Sequence, residues 1–208
     1  MPSPRALPEA VHVAAGPDAV HDGDEDRVRH AAGRSYPDLI RLRAGELEEA
    51  PDAVLVPADA AAVGRVLDAC AEVGVGVVPF GGGTSVVGGV AAIRDGLEAV
   101  VALDLGRLRG IEVDRRSLVA RLGPGLRGPE AESGLAREGM TLGHFPQSFP
   151  YATIGGFAAT RSVGRLWVRI VVWAIASGTN SRSRITSSYS APATTSTILP
   201  ATAKAALL

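Results

Sequence analysis

Residues 75–85 read Val75-Gly76-Val77-Val78-Pro79-Phe80-Gly81-Gly82-Gly83-Thr84-Ser85. An apolar, β-branched run therefore leads directly into three glycines and two hydroxyl residues. Glycine reaches backbone conformations that other residues avoid, so consecutive N–H groups of such a loop can turn inward and bind an anion. Many glycine-rich loops are only tight turns, however. The surrounding sequence has to decide between a phosphate site and a turn.

The residues before Gly81–Ser85, which we call the glycine loop, predict a β-α-β unit. The apolar run at 53–56 is stopped by a proline, as is typical of a short buried strand. A helix is expected next, with Asp59 as its N-cap, Cys70 on its apolar face and Gly74 at its end. Strands joined in this way run parallel, so the glycine loop is expected at the carboxyl end of a parallel strand, where ligands usually bind.

A Rossmann dinucleotide site is the first alternative. Asp104 follows an apolar run about twenty residues past the glycines, as the acidic ribose ligand does in that fold. Residues 86–99, however, contain three glycines and no helical apolar stripe. The helix N-terminus that binds the pyrophosphate in a Rossmann fold is therefore missing. The sequence argues against that fold, and Asp104 is interpreted as an ordinary strand-end residue.

The chain beyond the loop predicts an α+β fold class. Short strands are expected at 100–103, 111–113 and 118–122, and their close spacing favours antiparallel pairing. A short helix is expected at 129–138, because Pro129 suits a first helical turn.

The N-terminal part predicts less. Residues 1–26 are rich in Ala, Pro, Gly and Asp and are expected to be a disordered lead-in. One or two short helices, interrupted at Gly33 and Pro37, are expected between residues 26 and 48. These helices are expected to pack against the elements that follow.

Composition excludes several kinds of function. A formal net charge of -1 and the lack of a basic block remove the electrostatic footprint of nucleic-acid binding. The single cysteine excludes an internal disulfide and is expected to be a buried hydrophobe. The histidines at 12, 21, 30 and 144 lack metal-ligand spacing, so no metal site is predicted. The sequence shows no signal-peptide core and no run long enough to span a bilayer, which predicts a cytoplasmic protein.

A second loop region, residues 143–162, is also rich in glycine and hydroxyl residues. It reads Gly143-His144-Phe145-Pro146-Gln147-Ser148 and, after four residues, Thr153-Ile154-Gly155-Gly156-Phe157-Ala158-Ala159-Thr160-Arg161-Ser162. Two such loops in one domain suit an extended diphosphate ligand better than one does. The alternatives are a tight turn before a helix at Gly155-Gly156, and a strand-end cap for His144.

Together these segments resemble the FAD-binding domain of the vanillyl-alcohol-oxidase/p-cresol-methylhydroxylase class, called the PCMH type. The resemblance rests on four segments, in this order: Pro79–Val86, Gly143–Ser148, Thr153–Gly156 and Ala159–Ser162. Upstream, His30–Tyr36 and Ile40–Gly45 are similar to the alkyldihydroxyacetonephosphate synthase branch in particular. The likeness covers residues 27–162.

The resemblance implies two α+β subdomains with FAD between them, the first at about 50–105 and the second, incomplete, from about 106. By motif position, the FAD pyrophosphate would be wrapped by Gly81, Gly82, Gly83, Thr84 and Ser85, with Pro79 shaping the turn. Contacts to the pyrophosphate, ribose or isoalloxazine would come from Pro146, Ser148, Thr153, Gly155, Gly156, Thr160 and Ser162. Gln147 departs from the branch, which usually has an acidic residue there.

In that branch, the resemblance implies an enzyme that exchanges the acyl chain of acyl-dihydroxyacetonephosphate for a fatty alcohol, giving an ether-lipid precursor without net redox change. Other members of the class oxidise 2-hydroxy acids such as lactate or glycolate, so a 2-hydroxy-acid dehydrogenase is the alternative enzyme. In both cases the flavin supplies the reactive atom and the protein positions a small-molecule or lipid-precursor substrate against it.

The sequence changes character after Ser162. Residues 163–208 contain no Asp or Glu, and residues 181–202 are rich in Ser, Thr, Ala and Pro without a helix or strand period. We interpret residues 163–208 as a low-complexity tail foreign to the family, produced by a shifted reading frame or a truncated gene. The family's cap domain, which carries the catalytic side chains, then has no counterpart here. No catalytic residue is assigned and the isolated chain is expected to be inactive; a non-catalytic remnant or binding module is the alternative.

Overall fold

The computed structural model describes residues 1–162 and Lys204–Ala206. The predicted low-complexity tail, apart from those last three residues, lies outside the described residues. The helices and strands are, in chain order, α1 Glu9–Ala15, β1 Val20–His21, α2 Asp24–Arg29, α3 Tyr36–Ala44, β2 Ala53–Leu55, α4 Ala60–Glu72, β3 Gly76–Phe80, β4 Val100–Asp104, β5 Ile111–Asp114, β6 Val119–Leu122, α5 Gly128–Ala136, α6 Ile154–Ala159 and β7 Lys204–Ala206.

The first sheet has the strand order β1-β2-β4-β3. Strands β2 and β3 both run parallel to β4, which lies between them, and β1 pairs antiparallel with β2. This confirms the parallel β-α-β unit formed by β2, α4 and β3. The prediction that the strand at 100–103 pairs antiparallel with the strands after it is wrong. Those residues are all buried, because β4 is covered on both faces as a central parallel strand.

Helix α4 forms as the sequence predicts. The Asp59 side chain accepts a hydrogen bond from the Ala62 N–H at 2.7 Å, which caps the first turn. Val66 and Cys70 lie on its buried face. Gly74 then takes a φ of +69°, the left-handed conformation in which helices often end. The helix therefore directs the chain back into β3 and places the glycine loop at the far edge of the sheet.

Residues 1–26 do not form the disordered lead-in that their composition suggested. Helix α1 packs against α4, and Val11 is fully buried in the hydrophobic cluster beside the first sheet. The buried Arg27 guanidinium donates hydrogen bonds to the carbonyl oxygens of Pro2 and Pro51, at 2.7 and 2.9 Å. Composition misleads here because a few well-packed side chains and one buried arginine order a segment that is otherwise polar.

The segment between α2 and α3 also differs from its prediction. Pro37 does not interrupt the chain but lies in the first turn of α3, where no N–H partner is needed. Ser35 and Asp38 form a capping box, each side chain accepting a hydrogen bond from the other's backbone N–H at 3.2 Å. This cap fixes where α3 begins, so the linker 30–34 has a defined path toward the glycine loop.

The second unit is built on the strand order β5-β6-β7. Strands β5 and β6 pair antiparallel, as predicted, and β6 pairs parallel with β7. A separate hydrophobic cluster fills this unit: Ala120, Leu122, Leu126, Ala131, Leu135, Met140, Leu142, Ala152, Ile154 and Phe157. Two cores, each covered by helices, confirm the α+β fold of two subdomains. Leu105 packs against the first core and Ile111 against the second.

Candidate functional site

The glycine loop lies at the carboxyl edge of the parallel strands β3 and β4. Residues 81–99 form no helix, in agreement with the argument against a Rossmann fold. Within the part of the chain that the structure describes, no backbone N–H of residues 81–86 donates a hydrogen bond to protein. Residues 81–85 are buried or half-buried whereas Val86 is exposed, and backbone N–H groups that are shielded from water are normally paired. A run of free donors is therefore suited to binding an anionic ligand.

The two loop regions meet in the structure. A Cβ atom at Gly81 would overlap the Thr153 Oγ1 atom, and one at Gly82 would overlap the Tyr151 carbonyl oxygen and lie 2.9 Å from Ala152 Cα. Only glycine allows this approach. The contact joins the first subdomain to the second and places the free N–H groups of the glycine loop beside the second loop.

Gly83 and Thr84 complete the glycine loop. Gly83 has a φ of +62°, and a Cβ there would lie 2.7 Å from Cζ of Phe80, so the Phe80 ring packs directly against the loop. The Thr84 hydroxyl makes no hydrogen bond to any described residue, and its side chain is only partly buried. It is therefore available, with the neighbouring N–H groups, as a donor to a ligand.

Ser85 has a structural contact besides its predicted one with FAD, and Pro79 is placed differently from what the sequence suggested. The Ser85 hydroxyl accepts hydrogen bonds from the N–H groups of Val87 and Gly89, at 3.4 and 3.0 Å, so it stabilises the loop that follows. Pro79 lies inside β3 and is exposed, so it does not form the turn. An edge strand tolerates proline because one side of its backbone has no partner strand.

Thr153, Gly155 and Gly156 have structural partners of their own. Thr153 caps α6 by accepting a hydrogen bond from the Gly156 N–H at 3.2 Å. The Gly155 N–H donates to the carbonyl oxygen of Pro124 at 2.9 Å, and a Cβ at Gly155 would lie 2.9 Å from Pro124 Cβ. These N–H groups are used within the protein. This part of the second loop forms a tight turn before a helix, as one of the alternatives expected, and the predicted contacts of Thr153, Gly155 and Gly156 with FAD stay predictions.

The other predicted contact residues lie around this turn. The Pro146 carbonyl oxygen accepts a hydrogen bond from the Phe149 N–H, and that of Ser148 accepts from the N–H groups of Tyr151 and Ala152. The Thr160 hydroxyl donates to the Gly156 carbonyl at 2.8 Å, back onto its own helix. The Ser162 hydroxyl lies 2.9 Å from His144 Nε2. Their predicted contacts with FAD stay predictions.

His144 is a buried member of the second loop. Its ring is 2% exposed and packs edge-on against Phe157, with the ring centroids 4.9 Å apart. Burial lowers the pKa of His144, which favours the neutral ring. Glu132 orders the same loop, because its carboxylate accepts a hydrogen bond from the Gly143 N–H at 2.8 Å. The loop is therefore held from both sides by polar contacts.

The sequence missed an ion pair between His30 and Asp104 beside the glycine loop. His30 Nε2 lies 2.9 Å from Asp104 Oδ2, and its Nδ1 lies 2.7 Å from the Asp26 carbonyl oxygen. Burial lowers the pKa of His30, but these two hydrogen bonds outweigh it, and the pKa is raised above its usual 6.5. Burial raises the pKa of Asp104, but hydrogen bonds from His30 and the Gly106 N–H leave it lowered.

No local pattern connects His30 with Asp104, since 74 positions separate them. The one available signal was that His30 opens a segment in which the family likeness is strong. Asp104 is thus more than the ordinary strand-end residue that the sequence suggested.

Two further observations limit what else the described residues can bind. In residues 1–162, no group of three or more His, Cys, Asp or Glu side chains is arranged to hold a metal ion. None of the helices in that part of the chain is both long and apolar enough to cross a membrane.

A diphosphate needs several donors that converge from a fixed loop. The N–H groups of residues 81–86 and the Thr84 hydroxyl are adjacent donors without an acceptor among the described residues, and the loop is held by its contact with Tyr151–Thr153. The donor set therefore fits the pyrophosphate of FAD.

Comparison with known proteins agrees with this fit. The family described as "FAD binding domain" matches residues 51–170. The alkyldihydroxyacetonephosphate synthase of Dictyostelium discoideum is 35% identical over 165 residues, which cover 77% of this chain and 27% of that protein. A solved structure of an alkyldihydroxyacetonephosphate synthase superposes with a TM-score of 0.75 at 34% identity, covering 79% of this chain and 31% of the other.

A more distant structure supports the fold alone. p-Cresol methylhydroxylase with substrate bound has a TM-score of 0.55 at 18% identity, covering 75% of this chain and 29% of that one. The chain thus spans about a quarter of the length of the curated synthase it matches. From the family match, the synthase likeness and the donor set of the glycine loop together, the chain belongs to the FAD binding domain family, with a PCMH-type fold and FAD as its cofactor.

Proposed function

We propose that this chain serves as the FAD-binding portion of an enzyme with alkyldihydroxyacetonephosphate synthase activity. The observation that carries the FAD part is the run of free N–H groups at residues 81–86, held against the second loop. The likeness to the synthases supports the choice of activity, since they match at 34–35% identity over more than three quarters of the chain. The substrate class that this activity implies is a lipid precursor.

The described residues contribute binding and positioning. The N–H groups of residues 81–86 and the Thr84 hydroxyl would hold the pyrophosphate oxygens. Thr153 would keep the second loop closed against Gly81 by capping α6. Bound FAD supplies the reactive flavin ring. We assign no catalytic side chain among residues 1–162, and we propose that the 208-residue chain alone binds FAD without turnover.

A titration tests the binding step. Purified protein is mixed with FAD, passed through gel filtration and examined for flavin absorption, and the Kd is measured by quenching of flavin fluorescence. Co-elution of FAD at a one-to-one ratio supports the proposal. Protein that elutes without flavin bands and does not quench added FAD would refute it.

A graft tests the choice of activity. Residues 51–162 replace the corresponding segment of the Dictyostelium synthase, and the same graft is made in a 2-hydroxy-acid dehydrogenase of the class as the matched control. We expect synthase activity to survive in the first chimera and oxidation of the hydroxy acid to fall much further in the second. The reverse order would favour the dehydrogenase function instead.

A further inference from the structure

We propose that His30 is a positioning residue for FAD: through its ion pair with Asp104 it holds the linker 30–34 against the glycine loop and keeps the N–H groups of residues 81–86 aligned for the pyrophosphate. This inference rests on the proposed function, because it assumes that FAD binds at that loop.

The hydrogen bonds of His30 favour its charged form. Its Nδ1 faces the carbonyl oxygen of Asp26 at 2.7 Å, and its Nε2 faces the carboxylate of Asp104 at 2.9 Å. Both partners accept hydrogen bonds, so only the doubly protonated ring donates to both of them. At a pH below its raised pKa the ring is an imidazolium that joins α2 to the end of β4. An interaction of this kind is stronger than a neutral hydrogen bond.

His30 reaches the glycine loop by two routes. Its ring lies against Phe80, with centroids 4.3 Å apart, and the Phe80 ring in turn lies against Gly83. Three residues further on, a Cβ at Gly33 would overlap the Ser85 carbonyl oxygen, so the linker and the loop are in direct contact. The loop is thus contacted from the β3 side and from the linker side by groups that depend on His30.

The linker also bonds to the loop. The Arg34 N–H donates to the Ser85 carbonyl oxygen at 2.7 Å. This turns the Ser85 carbonyl toward the linker and, because a trans peptide is planar, turns the Val86 N–H away from it. Release of the linker would remove this constraint and let the loop sample other conformations.

The charged groups around His30 set the direction of its pH dependence. Asp104 faces it from β4 and Asp26 from α2; His21 contacts the Asp26 carboxylate at 3.4 Å, and the positive charge of Arg127 acts on Asp104. The pKa of His30 is raised above 6.5, so the ion pair is complete below that pH and is lost as the pH rises through the raised value. FAD affinity is therefore expected to fall toward alkaline pH.

The test measures the Kd for FAD from about pH 6 to about pH 9 for the wild type and four variants, since an imidazole changes charge in this range. We expect the wild type to lose roughly tenfold in affinity across the range, within the usual size of coupling between sites. His30→Gln and Asp104→Asn should bind weakly and without this slope. His30→Arg, which keeps the charge at every pH, should bind tightly even at the alkaline end. His12→Gln, on α1, is the matched control and should follow the wild type.

The outcomes separate this inference from the proposed function. Wild-type protein that binds FAD with a flat pH profile, or His30→Gln with the wild-type slope, would overturn the role of His30 alone. Wild-type protein that does not bind FAD would overturn both. If His30→Gln does not fold, the pH dependence of the wild-type Kd and the behaviour of His30→Arg still decide.

A second measurement is an NMR titration of the His30 ring. Its pKa should rise when FAD is added, because the coupling between protonation and FAD binding is reciprocal; an unchanged pKa would contradict the role of His30.

Discussion

Replacement of Gly82 by alanine should separate the two loops and weaken FAD binding. A Cβ at Gly82 would overlap the Tyr151 carbonyl oxygen and lie 2.9 Å from both Ala152 Cα and the Tyr151 carbonyl carbon. These are backbone atoms, so they cannot turn aside as a flexible side chain could. The clash is relieved only if the glycine loop and the second loop move apart. Overpacking of this kind costs about 1–3 kcal/mol.

The size of the expected effect follows from that cost. If the strain is relieved by displacement of the loop, the N–H groups of residues 81–86 lose their alignment, and a loss of about 1–3 kcal/mol of binding free energy raises the Kd for FAD roughly 5- to 150-fold. Fluorescence quenching measures the Kd for FAD. Urea unfolding measures how far the strain of the substitution lowers the free energy of unfolding instead of the binding free energy.

Gly110→Ala is the matched control. A Cβ at Gly110 meets nothing within 4 Å and its φ is not positive. We expect this variant to bind FAD as the wild type does and to unfold within about 0.5 kcal/mol of it. If Gly82→Ala were as stable as Gly110→Ala and bound FAD equally tightly, the contact between the two loops would not position the glycine loop, and the reasoning would be refuted.

Three further predictions concern stability and reactivity. Thr153→Val should lower the free energy of unfolding by about 1 kcal/mol through loss of the α6 cap, whereas Thr153→Ser should not; equal urea midpoints for both would contradict the cap. Cys70, buried with its pKa raised to about 11, should react with a thiol reagent at neutral pH no faster than the protein unfolds, and a rapid reaction of native protein would contradict its burial. Asp52→Asn should cost about 2 kcal/mol in urea unfolding because it weakens the charge-assisted hydrogen bonds between the buried Asp52 carboxylate and the partly exposed Arg94. Burial raises the pKa of Asp52, but hydrogen bonds from Arg94 and two backbone N–H groups leave the pKa below its usual 3.8. The free energy of unfolding of the wild type should therefore fall as the pH drops through that lowered pKa, and the variant should not show this loss at acid pH.

The sequence predicted those parts of the site that depend on local patterns. A proline-stopped apolar run, the Asp59 cap and a helical apolar face were enough to place the glycine loop at the carboxyl end of a parallel strand. The lack of an apolar stripe after Ser85 was enough to exclude a Rossmann helix. Each of these features is decided by residues close in sequence, so its physical cause is visible in the chain itself.

The parts that the sequence missed depend on contacts between distant residues. The Gly155 N–H donates to the carbonyl oxygen of Pro124, a contact that no local pattern indicates, and the glycine pair begins a packed helix. His30 meets Asp104 only after β4 has taken its place between β2 and β3. Strand β4 is buried on both faces between two parallel partners. A four-residue apolar run does not show whether a strand is parallel or antiparallel, so the sequence could not predict this position.

We expect the N–H groups of residues 81–86, which have no acceptor among the described residues, to bind the FAD pyrophosphate. In an NMR titration with FAD, the signals of these residues should shift most and gain protection from hydrogen exchange, while those of Gly155 and Gly156, whose N–H groups are already bonded, should change less. Saturable FAD binding that leaves the signals of residues 81–86 unchanged would contradict this expectation.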